Sequence, residues 1–170
     1  MDEPQTGSPR QRERQAVQQL LTSMMNGDNS YTIGHEPSGK PFLIHQPSPI
    51  DYQLSISHTR GYAVLLISDD SGVGVDIEYR SNRVERIASR FIRPDEMTET
   101  TDEKLLLWSA KEAVYKLFSE DRLGFFDMRA ISIDESIVRM ENMKRNIVVD
   151  VHYNLTDDYV LTYVLYSSFL

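Results

Sequence analysis

The stretch 103–118 constrains the fold of this chain more than any other. Leu106, Leu107, Ala110, Ala113, Val114 and Leu117 recur at helical spacing and form one apolar stripe, so the segment predicts a helix that must lie on a partner surface. Strand-like runs flank it on both sides. Residues 52–57, 62–68 and 73–79 come first, rich in β-branched and aromatic side chains and divided by Gly61 and by Asp69-Asp70-Ser71-Gly72. Residues 129–133, 146–152 and 159–166 follow it. A helix between two groups of antiparallel-type strands predicts an α+β domain of two similar halves, about residues 10–75 and 76–170.

The remaining elements are shorter. Residues 10–25 read as a helix through Ala16, Val17, Leu20, Leu21 and Met24, stopped by Asn26-Gly27, and the polar residues 1–9 before it as a disordered tail. Ser38-Gly39-Lys40-Pro41 predicts a turn into Phe42-Leu43-Ile44. Residues 83–91 predict a helix, and Pro94-Asp95-Glu96 the start of another.

Composition narrows the classes. The 170 residues contain no cysteine, which removes disulfides, thiolate nucleophiles and cysteine metal sites and suits a reducing, cytoplasmic setting. A net charge of −8 argues against nucleic acid as the partner. The longest uncharged apolar run, 159–170, is too short for a membrane-spanning helix, which needs about 20 residues.

Three carboxylates and several cations carry the chemistry. In Gly74-Val75-Asp76-Ile77-Glu78, Asp76 and Glu78 fall on the same side of a strand, Val75 and Ile77 on the other. Adjacent carboxylates raise each other's pKa unless positive charge intervenes, and a divalent cation preferring oxygen ligands answers that need. An exposed strand edge carrying solvated charge is the plainer alternative. Glu112 and Lys116 are an i, i+4 pair on the apolar helix, ordinary as a helix-supporting ion pair, although the buried faces beside Glu112 draw it toward the interior. Ser57-His58 ends a strand, and neighbours on a strand point apart, so the pair suits phosphate contact better than a proton relay.

Taken in order, Gly39-Lys40-Pro41, Ser57-His58, Gly74-Val75-Asp76-Ile77-Glu78 and Trp108-Ser109-x-Lys111-Glu112-Ala113-x-x-Lys116 resemble the 4′-phosphopantetheinyl transferase superfamily, particularly its surfactin-synthetase-activating type. The resemblance runs from about Arg10 to the end of the chain. It implies a fold of two pseudo-symmetric α/β halves, with antiparallel strands packed on helices and the active site in the groove between the halves. The implied reaction moves phosphopantetheine from coenzyme A to a serine of an apo acyl or peptidyl carrier protein, releasing adenosine 3′,5′-bisphosphate. Asp76, Glu78 and Glu112 are then the expected Mg²⁺ ligands. Lys40, Ser57, His58 and, more weakly, Lys111 are the expected contacts to coenzyme A, with one of Arg10, Arg12 and Arg14, Arg10 first among them, gripping the 3′-phosphate. Lys116 is expected beside the scissile pyrophosphate, and Glu112 as the base for the carrier serine.

Only about nine polar residues precede the first helix, where longer members of that family carry strand-forming sequence. That leaves two alternatives, a compact enzyme or a non-catalytic homologue that binds coenzyme A or a carrier protein. The arginines at 80, 83, 86, 90 and 93 give residues 80–93 a local charge of +4 within an acidic chain. Arg83, Arg86 and Arg90 on one helical stripe are expected to dock an acidic carrier protein, and the protein is expected to act as a monomer.

Overall fold

The computed structural model describes residues 8–167. Of the expected tail, residues 1–7 lie outside the described residues. Ser8 instead caps the first helix, α1 (Pro9–Met24): its backbone N–H donates to Gln11 Oε1 at 2.7 Å while its hydroxyl accepts from the Gln11 amide. Such reciprocal capping satisfies two amides that the first turn would otherwise leave unpaired. Val17 and Leu21 are its buried residues, and α1 lies across β1 (Tyr31–His35) and β5 (Tyr62–Ser68).

The N-terminal part holds two small antiparallel sheets. β1 pairs with β2 (Pro41–His45), which pairs with the short β3 (Ser48–Pro49). β4 (Gln53–Thr59) pairs with β5 in a hairpin. The predicted turn before Pro41 forms, with Gly39 at φ 90°, a backbone that only glycine adopts freely, and it closes through the Gly39 amide to Glu36 O.

The C-terminal part is one antiparallel sheet in the order β6 (Gly72–Tyr79), β10 (Tyr159–Tyr166), β9 (Ile147–Leu155), β8 (Ile137–Asn142), β7 (Met128–Ile133). The second helix, α2 (Thr101–Leu117), packs on β6, β8, β9 and β10. Its apolar stripe forms as predicted: Leu106, Leu107, Ala110, Ala113 and Val114 are buried in the main core with Val138, Met140, Val151, Val160 and Val164 of the sheet. A buried polar contact pins the same face, Ser109 Oγ meeting Thr162 Oγ1 at 2.9 Å. The architecture is α+β, and the division expected between residues 75 and 76 falls inside β6.

Two features of β6 locate everything else. Its outer edge is hydrogen-bonded by side chains: Ser55, Ser57 and Thr59 of β4 accept from the amides of Val75, Ile77 and Tyr79 at 3.0–3.2 Å. Alternate hydroxyls, all on one side of β4, thus replace a backbone ladder and join the two parts. On its helix face, Gly74 lets α2 approach so closely that a Cβ there would stand 2.0 Å from the Ala113 carbonyl oxygen.

Two predicted helices do not form. Residues 83–91 make two short 3₁₀ turns, Asn82–Arg86 and Ala88–Arg90, because Ser81 supplies no side-chain cap and Val84 and Phe91 both turn into the core. Pro94-Asp95-Glu96 starts no helix, since Asp95 pairs with Arg93 and the Glu96 carboxylate is drawn inward. The next helix is α2, expected from residue 103 and beginning two residues earlier behind Thr100, whose hydroxyl accepts from the Glu103 amide at 3.1 Å. β1, β3 and β8 are strands that the sequence reading did not assign.

Gly74→Ala should lower stability by about 3 kcal/mol, because the added carbon meets the helix backbone at Ala113 and Leu117, which cannot swing aside as a side chain would. The urea midpoint, at constant slope, measures it.

Candidate active site

β6 and α2 set the site together. Asp76 Oδ1 accepts from Ser57 Oγ at 2.8 Å and from Lys116 Nζ at 2.9 Å, and the same ammonium donates to Val75 O at 2.9 Å. The Gly74 approach makes this possible, for it lowers the last turn of α2 onto the strand that carries Asp76. Glu78, two residues along β6, accepts a 2.8 Å hydrogen bond from Trp108 Nε1. The indole is itself held between Phe91, edge-on at 5.2 Å, and Phe125 at 4.9 Å.

The three predicted carboxylates are electrostatically joined. Burial first, then the charge of Asp76, holds Glu78 above the ordinary glutamate range, against the Trp108 hydrogen bond and Lys116. Burial and Asp76 likewise raise Glu112, with Glu78 adding to the effect and Lys116 opposing it. As the side chains stand, no three His, Asp or Glu residues among the described ones come close enough to hold a metal. The donor set nonetheless fits a hard divalent cation. All three donors are carboxylates that repel one another, and Asp76 Oδ2 is buried with no hydrogen-bond partner.

In front of these groups lies a cleft of about 1250 Å³ between the N-terminal part and the end of α2. Arg10, Lys40, Ser57, His58 and Lys116, separated widely in sequence, all line it. Ser57 gives its hydroxyl proton to Asp76 and accepts from the Ile77 amide, so it ties the cleft wall to the carboxylates. His58 faces Glu13 at 3.6 Å, and Lys40 faces Glu120 at 3.9 Å across the cleft. Asp76, Glu78 and Glu112 do not line the cleft themselves. Asp76 is joined to it through Ser57 and Lys116.

Lys111 is placed elsewhere, and its expected contact with coenzyme A gives way to a structural role. Its side chain is fully buried, donating to Glu96 Oε2 at 2.7 Å, Phe91 O at 2.7 Å and Phe125 O at 3.2 Å. All three protons of the ammonium are used. Burial lowers its pKa while Glu96 resists the fall. Glu96, read from the sequence only as part of a helix start, also accepts from the amides of Arg93 and Ala130, and so ties the loop after the 3₁₀ turns to β7. Trp108, Tyr115, Glu120 and Arg122 are further site residues found only in the structure. The signal for Trp108 was present, one helical turn from Glu112 in the quoted block, whereas nothing local marks the loop residues.

Of the five arginines in 80–93, Arg80 pairs with Asp102 and Arg93 with Asp95. Arg83, Arg86 and Arg90 are exposed, and among the described residues their side chains make no ion pair. They sit on 3₁₀ turns and not on the single helical stripe expected.

A known family model covers the elements that carry these carboxylates. The model of the 4′-phosphopantetheinyl transferase superfamily matches residues 72–164, more than half of the chain, and takes in β6, α2 and all three carboxylates. The chain belongs to that superfamily, whose members use coenzyme A and act on carrier proteins, and it is by class a transferase of phosphopantetheine. No curated protein matches it. Among the described residues no helix is long and apolar enough to cross a membrane.

Two measurements test the electrostatics. Lys111→Met should cost about 3–5 kcal/mol by leaving the Glu96 carboxylate buried and unpaired, and Lys111→Met with Glu96→Gln should recover most of it in chemical denaturation. For Glu112 the folded pKa is raised, so its favourable contribution is complete below the ordinary glutamate value and is lost as pH rises through the raised one. With divalent cations chelated, Glu112→Gln should therefore melt above the wild type at neutral pH, the gap closing toward about pH 4.

Proposed function

We propose that this protein is a Mg²⁺-dependent enzyme that transfers 4′-phosphopantetheine from coenzyme A to a serine of an apo acyl or peptidyl carrier protein. The observation that carries the reading is Lys116. Its ammonium bonds to Asp76 on one side and lines the cation-bearing cleft on the other, which joins carboxylates to phosphate contacts. Asp76, Glu78 and Glu112 would hold the metal, which when bound supplies positive charge against the non-bridging phosphate oxygens.

The chain's own groups account for the rest. Arg10, Lys40 and His58 orient the phosphates of coenzyme A along the cleft, and Ser57 keeps Asp76 aligned. The serine oxygen forms a bond to the β-phosphorus as the bridging oxygen bond breaks, and adenosine 3′,5′-bisphosphate leaves. Lys116 stabilises charge developing on that leaving group, where fixed positive charge is most effective. Glu112, directly or through a water, accepts the serine proton.

On this reading the two parts flanking the cleft are related halves of one domain, residues 10–170, working as a monomer in the cytoplasm. Arg83, Arg86 and Arg90, exposed just after the carboxylate-bearing strand, are the docking face for an acidic carrier protein. The surfactin-synthetase-activating type is the nearest subtype by its sequence blocks.

The test is intact-mass spectrometry of an apo carrier protein incubated with this protein, coenzyme A and Mg²⁺. A gain of about 340 Da, abolished by EDTA, is expected, as metal-assisted phosphoryl transfer requires. Asp76→Ala and Glu112→Ala should abolish the gain, and Lys116→Ala should lower kcat more than coenzyme A affinity. Coenzyme A binding without transfer to any carrier class would favour a holding protein over an enzyme.

A further inference from the structure

The loop after α2 brings to the cleft an arginine with an unusual backbone. Arg122 has φ 48° and ψ 52°, the left-handed region in which every side chain is disfavoured relative to glycine. The turn between β8 and β9 imposes that conformation. Lys144 Nζ donates to Asp121 O at 3.3 Å and to Arg122 O at 3.0 Å. The Asp121 carboxylate accepts from Arg145 and, at 2.8 Å, from the amide of the buried Asn142. Arg145 in turn lies over the Phe118 ring, 5.5 Å from its centre. The loop is thus clamped at both ends of its 3₁₀ turn, Ser119–Asp121, and a glycine at 122 would fit it without strain.

Arginine stands there, and its side chain faces outward. It is exposed, it lines the cleft with Tyr115, Lys116 and Glu120, and among the described residues nothing pairs with its guanidinium. Its neighbour Glu120 already engages Lys40 on the opposite wall. Arg10, Lys40 and His58 come from the N-terminal part, whereas Arg122 belongs to the C-terminal part, so a phosphate ester in the cleft would be gripped from both walls.

We propose that Arg122 is a phosphate-binding residue of the coenzyme A site, an inference that rests on the functional reading above. Its guanidinium offers a planar fork of donors that matches phosphate oxygens, and it is weakly hydrated for a cation, so it gives up water readily. Strained backbone persists where the surroundings over-determine it, and the strain here presents a charged side chain to a ligand cleft.

Arg122→Gly separates side chain from backbone, because it removes the guanidinium and relieves the strain together. It should melt at or above the wild-type temperature, yet bind adenosine 3′,5′-bisphosphate about tenfold more weakly in calorimetry, the loss of one charge-assisted hydrogen bond. Arg122→Asn, which also tolerates this backbone, should weaken binding similarly, and Arg122→Lys less. In turnover, the KM for coenzyme A should rise more than that for the carrier protein. Wild-type nucleotide affinity in both the Gly and Asn variants overturns the proposal. So does a rise confined to the carrier KM, which would make Arg122 a carrier contact. Failure of the wild type itself to bind the nucleotide overturns the functional reading, and this inference with it.

Discussion

The contact between Gly74 and the Ala113 carbonyl governs this molecule. A helix packed on a sheet is normally held off by the side chains between them, and here one pair of side chains is missing or minimal. The gain is positional. With backbone against backbone, Lys116 reaches both Val75 O and Asp76, and Glu112 lies within electrostatic range of two strand carboxylates. One methyl group at position 74 would push apart the two elements that share the site.

β6 carries this burden from both sides. Its helix face meets α2, and one edge pairs with β10. Its other edge meets hydroxyls from β4 in place of a strand ladder. Because the residues supplying those hydroxyls include Ser57, the join between the two parts is also a contact to the site: the proton not needed for the join goes to Asp76. Assembly and chemistry share atoms, so loosening one disturbs the other.

Charge is handled differently at the two lysines of α2. Lys111 is sealed against Glu96 and two carbonyls, a closed network that fastens the Phe91 and Phe125 backbones whose rings hold Trp108, and through it Glu78. Lys116 has the same type of carboxylate partner but stays partly open to the cleft, so its charge remains available to a ligand. Five residues separate them along the helix, enough to turn one into the core and the other toward solvent.

Much of this was legible in the sequence. The apolar stripe of α2, the strands at 62–68, 73–79 and 159–166, and the shared side of Asp76 and Glu78 follow from periodicity, which a linear chain displays, whereas Glu112 joined them only through the resemblance of the sequence blocks. The short 3₁₀ turns, the absence of a helix at Pro94 and the strands β1, β3 and β8 were not, because their form depends on what they pack against more than on intrinsic preference. Lys111 and Lys116 are alike in sequence, and only their tertiary surroundings give one a counter-ion in the core and the other a place at the cleft. The sequence by itself determined which chemical groups α2 and β6 carry and which of their faces are apolar. Their distances, the cleft lined jointly by Arg10, Lys40, His58 and Arg122, and the burial that raises Glu78 and Glu112 were decided only when the chain closed, since each arises between residues far apart along it.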